Sequence, residues 1–144
     1  MECERISDGQ LYAVKVIRPV TRYLESARIE AEIIVNIHKQ DKRNESHCVR
    51  MLEYFDFEED GKKYMALIFE KLGTSLFEFI KANKYRGRNY FKPGFDIETI
   101  KIFARQILEG IGYLHDRLEL THTDLKVNIL TIARKHTIKT YRYR

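Results

Sequence analysis

The chain has 144 residues, a length that fits one domain of ordinary size. Its composition, 44% hydrophobic and 33% charged, is typical of a folded globular protein and excludes wholesale disorder. The net charge of +5 comes from residues 131–144, which hold five basic residues and no acid, so the neutral remainder is not predicted to bind nucleic acid through a basic face.

Residues 11–17 form the first predicted strand, because they are rich in β-branched and aromatic side chains. Asp8-Gly9 before them is a hairpin turn signal. Lys15 lies inside this apolar run, where an unpaired ammonium group would be costly to bury. Lys15 therefore either has an anionic partner or lies on the outer face of an edge strand.

A helix is predicted after Pro19, with Thr21 as its N-cap. Its apolar residues recur at helical spacing: Leu24, Ala27, Ala31, Ile34 and Ile37. Glu30 falls within the same arc of the helix. We expect its carboxylate either to pair with Lys15 or to lie at the margin of the apolar stripe.

The elements that follow are a strand pair and two helices. Residues 51–57 and 63–69 are predicted to pair around a Glu59-Asp60-Gly61 turn, and the second strand runs into Leu72-Gly73. Ser75 is predicted to start a short helix that ends near residue 83, and Asp96 to cap a long helix from residue 97 to about 116. A small sheet followed by helices indicates the α+β class.

A polar motif follows the long helix. Residues 120–130 hold His122, Asp124, Lys126 and Asn128 between apolar residues. Side chains of these types in one short segment suit proton acceptance, phosphate contact and metal ligation.

Taken in chain order, these motifs resemble the eukaryotic protein kinases, and specifically the LAMMER or CDC-like kinase (CLK) family. Thr123, where most kinases carry arginine, is typical of that subfamily. The resemblance covers roughly residues 1–130 and is carried by Tyr12-Ala13-Val14-Lys15, Arg22-Tyr23, Ala27-Arg28-Ile29-Glu30, Ile68-Phe69-Glu70, Leu72-Gly73, Tyr113-Leu114-His115 and the segment from Leu120 to Lys126.

This resemblance implies an incomplete protein-kinase-like α+β fold. Residues 1–71 would be a partial N-lobe, an antiparallel sheet plus the helix called αC in kinases, starting within the second strand. Residues 72–130 would be the first helices and the catalytic loop of the C-lobe. Residues 131–144 are a basic tail without family resemblance.

The resemblance also implies an ATP site and a catalytic pair. Lys15 would contact the ATP phosphates and Glu30 would be its ion-pair partner. Asp124 would accept the proton of the substrate hydroxyl, and Lys126 would steady the transferred phosphate. ATP and Mg²⁺ are the implied cofactors, and the positions implied to bind ATP are Ala13, Lys15, Glu30, Phe69, Glu70 and Leu72.

Three departures from the kinase pattern bear on activity. No glycine-rich loop precedes Lys15, and no acid follows Asn128. The catalytic loop is one residue short, because Val127 replaces the usual Pro-Glu pair. Asn128, the position implied to bind Mg²⁺, would therefore be displaced by about 3.3 Å if the loop is extended. We expect an inactive chain that binds ATP weakly.

The resemblance implies protein substrates of the Arg/Ser-rich splicing-factor type and a nuclear or cytoplasmic location. The polar start and the absence of a long apolar run argue against secretion and membrane insertion. We expect an exposed apolar surface on the long helix, through which chains could associate.

Two alternatives to an enzyme remain. One is a non-catalytic binding module, in which Arg86 and Arg88 of the basic, aromatic loop 84–92 contact an acidic partner or RNA. The other is a degenerate or truncated gene product without a function of its own.

Overall fold

The computed structural model describes residues 1–84, 95–126, 130–134 and 137–140. These residues divide into two units, one from Met1–Lys42 and Val49–Lys71, the other from Arg43–Cys48 and Leu72–Tyr143. Each unit combines a sheet with one or more helices, and the α+β class predicted from the sequence is confirmed. The described helices include none long and apolar enough to cross a membrane.

The first unit is an antiparallel sheet with one helix. Its elements are β1 (Glu2–Glu4), β2 (Leu11–Ile17), α1 (Thr21–Gln40), β3 (Met51–Glu59) and β4 (Lys62–Glu70). The strands are ordered β1-β2-β4-β3. Asp60 and Gly61 join β3 to β4 with φ angles of 49° and 68°, as a two-residue turn of this kind requires.

The core of the first unit lies between the sheet and α1. Met65 and Leu67 of β4 are fully buried, and they face the apolar stripe of α1: Ala27, Ala31, Ile34 and Ile37. Leu24, predicted to belong to this stripe, is only half-buried. The prediction that Thr21 caps α1 is wrong, because Thr21 is already helical and the cap position is Val20, whose side chain cannot accept a hydrogen bond.

The second unit contains α2 (Leu76–Lys84), α3 (Ile97–Gly112), a π-helical turn (Tyr113–Arg117) and a hairpin of β5 (Leu130–Arg134) and β6 (Thr137–Thr140). Leu76, Phe103 and Leu130 form its buried cluster, one from each of α2, α3 and β5. Phe95 stacks edge-on against Phe103, with ring centroids 4.9 Å apart.

Both predicted helix starts in this unit are capped. Ser75 accepts a hydrogen bond from the Glu78 N–H at 3.1 Å, and the Glu78 carboxylate accepts one from the Ser75 N–H at 3.3 Å. Asp96 accepts hydrogen bonds of 2.8 Å from both the N–H and the hydroxyl of Thr99. These bonds, the one from the Thr99 N–H first, lower the pKa of Asp96.

Candidate active site

Lys15 and Glu30 form an ion pair within the first unit. The Lys15 ammonium donates to both oxygens of Glu30, at 2.8 and 2.9 Å. The Glu30 side chain is only 8% exposed and that of Lys15 is 29% exposed. The pairing that the sequence left as one of two alternatives is therefore the one present.

The local structure explains why this pair forms. Lys15 pairs in register with Leu67, so its side chain leaves the sheet on the face that packs against α1. Glu30 is buried on the apolar stripe of α1, between Ala27 and Ile34. A carboxylate desolvated in this way is stable only with a cationic partner, and Lys15 of β2 supplies it.

A second ion pair ties α1 to the sheet. The guanidinium of Arg28 donates to the Asp56 carboxylate of β3 at 2.6 Å. The hydrogen bond with Asp56, together with its negative charge, raises the pKa of Arg28 above its ordinary value. Because Arg28 and Glu30 lie on the same turn of α1, this contact helps to fix the helix that carries Glu30.

Two more of the predicted ATP positions share the face of Lys15. Ala13 and Phe69 are cross-strand partners, two residues before Lys15 and two residues after Leu67. Phe69 is buried and Ala13 is half-buried. Strand alternation therefore brings a small residue, an aromatic residue and the lysine to one face of the sheet.

Glu70 and Leu72 are the last two positions that the resemblance implies to bind ATP. The Glu70 N–H donates to the Arg50 carbonyl at 2.9 Å, and the Arg50 N–H donates to the Glu70 carboxylate at 2.7 Å. The amide of Glu70 is therefore already used inside the first unit. Leu72 belongs to the second unit, where it is half-buried in irregular backbone.

The catalytic pair implied by the polar motif lies in the second unit. The Lys126 ammonium donates to the Asp124 carboxylate at 2.7 Å, and both side chains are about half exposed, at 50% and 45%. His122 is buried, and neither ring nitrogen has a hydrogen-bond partner among the described residues. Asn128, Arg86 and Arg88 lie outside the described residues.

Metal ligands are not gathered in the part of the chain that the structure describes. No group of three His, Cys, Asp or Glu side chains there is arranged to hold a metal ion. Among the residues that the structure describes, Lys126 is the one charged partner of Asp124. The described residues therefore contain no assembled set of acidic, histidine or cysteine metal ligands.

Two features of the second unit were missed from the sequence. The segment predicted to be a tail contains β6 and all of β5 except its first residue, Leu130, which is part of the buried cluster. The loop of residues 43–48 packs against α3 beside a polar cleft, a contact that the sequence did not indicate. The alternation of Thr and Ile at 131–132 and 137–138 is the one signal that could have indicated the hairpin.

Comparison with known proteins identifies relatives over nearly the whole chain. Residues 1–141 match the protein kinase domain family, a range that includes most of the segment 131–144. Serine/threonine-protein kinase AFC3 of Arabidopsis thaliana is 33% identical over 139 residues, 96% of this chain and 32% of that protein. Dual specificity protein kinase CLK4 of Homo sapiens is 38% identical over 133 residues, 92% of this chain and 25% of that protein. The chain thus spans about a quarter to a third of the length of these relatives.

Proposed function

The chain belongs to the protein kinase domain family, with CLK and AFC kinases among its relatives, and we propose that its first unit binds the phosphates of ATP through Lys15. The observation that carries this proposal is the Lys15–Glu30 ion pair, with its two contacts of 2.8 and 2.9 Å. Glu30 fixes the ammonium at one position on the sheet, so phosphate contact costs less side-chain entropy than it would for a free lysine.

The neighbours of Lys15 support an adenine-binding role for the same face. Ala13 leaves room for a flat ring beside the strand, and buried Phe69 closes the adjacent position. Glu70 and Leu72 are retained as proposed adenine-contacting positions by analogy with the relatives alone. ATP would supply the γ-phosphoryl group, and Lys15 would hold the other phosphates in place.

Asp124 and Lys126 are proposed as the general base and the phosphate-steadying residue of the phosphotransfer. The 2.7 Å contact between them supports a joint role, because it holds the carboxylate that would accept the proton beside the ammonium that would contact the transferred phosphate. By analogy with the relatives, the substrate hydroxyls would be Ser and Thr side chains of proteins. Arg/Ser-rich splicing factors and a nuclear location belong to the same analogy.

We propose that this chain does not itself complete the transfer. The loop from Leu125 to Asn128 is one residue shorter than the kinase pattern, and residues 129–144 contain no acid. A displacement of about 1 Å can reduce a rate on the order of a hundredfold, and a one-residue deletion exceeds it. Because residues 129–144 hold no carboxylate, the chain's own residues do not suit Mg²⁺, whose charge phosphoryl transfer requires.

The test has a binding arm and a catalytic arm. A fluorescent ATP analogue is titrated against the wild-type chain, against Lys15→Met and against the control Lys62→Met, which removes an exposed lysine from the start of β4. We expect weak binding that Lys15→Met reduces and Lys62→Met leaves unchanged. In the catalytic arm, transfer of radiolabelled phosphate to an Arg/Ser-rich peptide with Mg²⁺ should stay at background.

The two arms contradict different parts of the proposal. Equal binding by Lys15→Met and wild type would refute the nucleotide site. Transfer that disappears in Asp124→Asn would refute the claim of inactivity and would leave the nucleotide site intact.

A further inference from the structure

A cleft of about 640 Å³ lies within the second unit, between the loop of residues 43–48 and the C-terminal end of α3 with its π-helical turn. This volume is within the range of small-ligand sites. The side chains that decide its chemistry are Arg43, Glu45, Glu109, Tyr113, Asp116 and Arg117. We call it the polar cleft.

The loop is held against α3 by close packing at one point. A Cβ on Gly110 would lie 2.6 Å from the Ser46 carbonyl oxygen, so only glycine permits this approach. Ser46 of this loop is buried, and the imidazole Nε2 of His47 lies 3.4 Å from the Glu109 carboxylate. Asn44 and His47 have positive φ angles of 59° and 49°, which direct the loop along the helix.

The opposite wall is set by the π-helical turn. Tyr113 to Arg117 follow α3 with a wider winding than an α-helix, which changes the direction in which their side chains project. Tyr113, Asp116 and Arg117 therefore line the same cleft as Glu109 of α3 and Glu45 of the loop.

The charges of the polar cleft favour a cation. Three carboxylates line it, from Glu45, Glu109 and Asp116, against two guanidinium groups. One of these, from Arg43, lies 3.9 Å from Glu45 and is offset by it. Within the described ranges Asp116 forms no ion pair, so its carboxylate is available to a ligand.

The side chains that line the polar cleft restrict the class of ligand it can bind. The cleft has no aliphatic side chain in its lining, which argues against an apolar peptide. A bare metal ion does not fit, because no three ligating side chains in the described part of the chain are close enough. The ring of Tyr113 beside two carboxylates suits a guanidinium, a planar cation that stacks on aromatic faces and donates to carboxylates in pairs.

We propose that the polar cleft binds an arginine side chain of a partner peptide. The guanidinium stacks on Tyr113 and donates to Asp116 and Glu109. This docking site requires neither ATP nor the residues assigned to phosphotransfer, so it stands or fails independently of the proposed function.

The test measures fluorescence anisotropy of a labelled Arg-Gly repeat peptide titrated with the full chain. The peptide has no Ser or Thr, so its binding does not report on phosphotransfer. We expect the double variant Glu109→Gln/Asp116→Asn to lose about fivefold in affinity, since exposed charge pairs contribute little each. The matched control Glu98→Gln removes an exposed carboxylate from the other end of α3 and should bind as the wild type does. A Lys-Gly peptide should bind more weakly than the Arg-Gly peptide.

A charge-reversed variant distinguishes the loss of charge contacts from a loss of affinity caused by misfolding. Glu109→Lys/Asp116→Lys should lose the Arg-Gly peptide and gain affinity for a Glu-Gly peptide, a switch that unfolding cannot produce. Equal affinity of wild type and the double variant would overturn the proposal, as would an equal loss in Glu98→Gln or preference of the wild-type chain for the Glu-Gly peptide.

Discussion

The backbone carbonyl of Ser46 occupies the space that a side chain on Gly110 would need. A Cβ at this position would come within 2.6 Å of the Ser46 oxygen and 3.4 Å of its carbonyl carbon, both backbone atoms of the loop against α3. Glycine is usually unfavourable inside a helix by about 0.5–1 kcal/mol relative to alanine, so its presence here reflects packing rather than helix stability.

Gly110→Ala should therefore destabilise the chain, although alanine is the better helix former. We expect a loss of about 1–3 kcal/mol in the free energy of unfolding, because the loop backbone has to move to relieve the contact. Urea denaturation measures the change. Gly112→Ala is the matched control, since its Cβ would meet only the Asp116 carboxylate at 3.8 Å, an ordinary contact. A Gly110→Ala chain as stable as Gly112→Ala would show that the loop is not packed in this way.

The Lys15–Glu30 pair predicts an asymmetry between its two single variants. Lys15→Met leaves the Glu30 carboxylate, which is 8% exposed, without its partner, whereas Glu30→Gln leaves Lys15, which is 29% exposed. We expect Lys15→Met to cost about 1–3 kcal/mol and Glu30→Gln to cost less, because the more buried charge loses more hydration.

Thermal and urea unfolding of both variants, with Lys15→Met/Glu30→Leu, test this asymmetry. The double variant should recover part of the loss, since removing both charges leaves no unpaired group. If the double variant is the least stable of the three, the pair is not partly buried as described.

Asp96 gives a pH-dependent contribution to stability. Its pKa in the folded chain is lowered from the ordinary value of 3.8, chiefly by the hydrogen bond from the Thr99 N–H. The ionised form is thus favoured by folding, so the contribution is fully present above the unfolded pKa and is lost as the pH falls through the lower, folded pKa. Asn at this position also accepts a cap hydrogen bond but does not ionise.

The stability difference between wild type and Asp96→Asn should therefore shrink on acidification from about pH 6 towards pH 2. Chemical denaturation at a series of pH values measures it. A difference that stays constant or grows over this range would contradict the direction of the pKa shift.

The capping box at Ser75 provides a local test of α2. Ser75→Ala removes the acceptor for the Glu78 N–H and should cost about 1 kcal/mol. Ser75→Asp keeps an acceptor at the cap and should retain most of that stability, so the two variants separate loss of the cap from loss of the serine itself. Circular dichroism during urea unfolding reports both; equal destabilisation by the two variants would show that the cap is not responsible.

Local chemistry explains what could be predicted from the sequence. Ser75 and Asp96 were identified as helix starts because a polar side chain before an apolar periodic run satisfies free backbone N–H groups. The Lys15–Glu30 pair was foreseeable because each charge interrupts an apolar pattern on an adjacent element. The same rule predicted Thr21 as an N-cap, and this prediction is wrong because α1 begins after Val20 without a side-chain cap.

The features that could not be predicted from the sequence depend on contacts between distant segments. The approach of Ser46 to Gly110 joins residues far apart in the chain. A single glycine in a helical pattern does not indicate which segment packs against it. The polar cleft follows from that approach and from a π-helical turn, which has no sequence pattern. β5 and β6 are short, and their segment is rich in basic residues, a composition that favours the prediction of a basic tail.

Our central proposal is that this chain contacts ATP through Lys15 although its own side chains do not suit Mg²⁺. Isothermal calorimetry of the wild-type chain with ATP, in the presence and absence of Mg²⁺, tests it most directly. We predict weak binding that Lys15→Met reduces and that Mg²⁺ strengthens by less than about fivefold, the lower end of ordinary coupling between sites. Tight binding that depends on Mg²⁺ by a larger factor would contradict the claim.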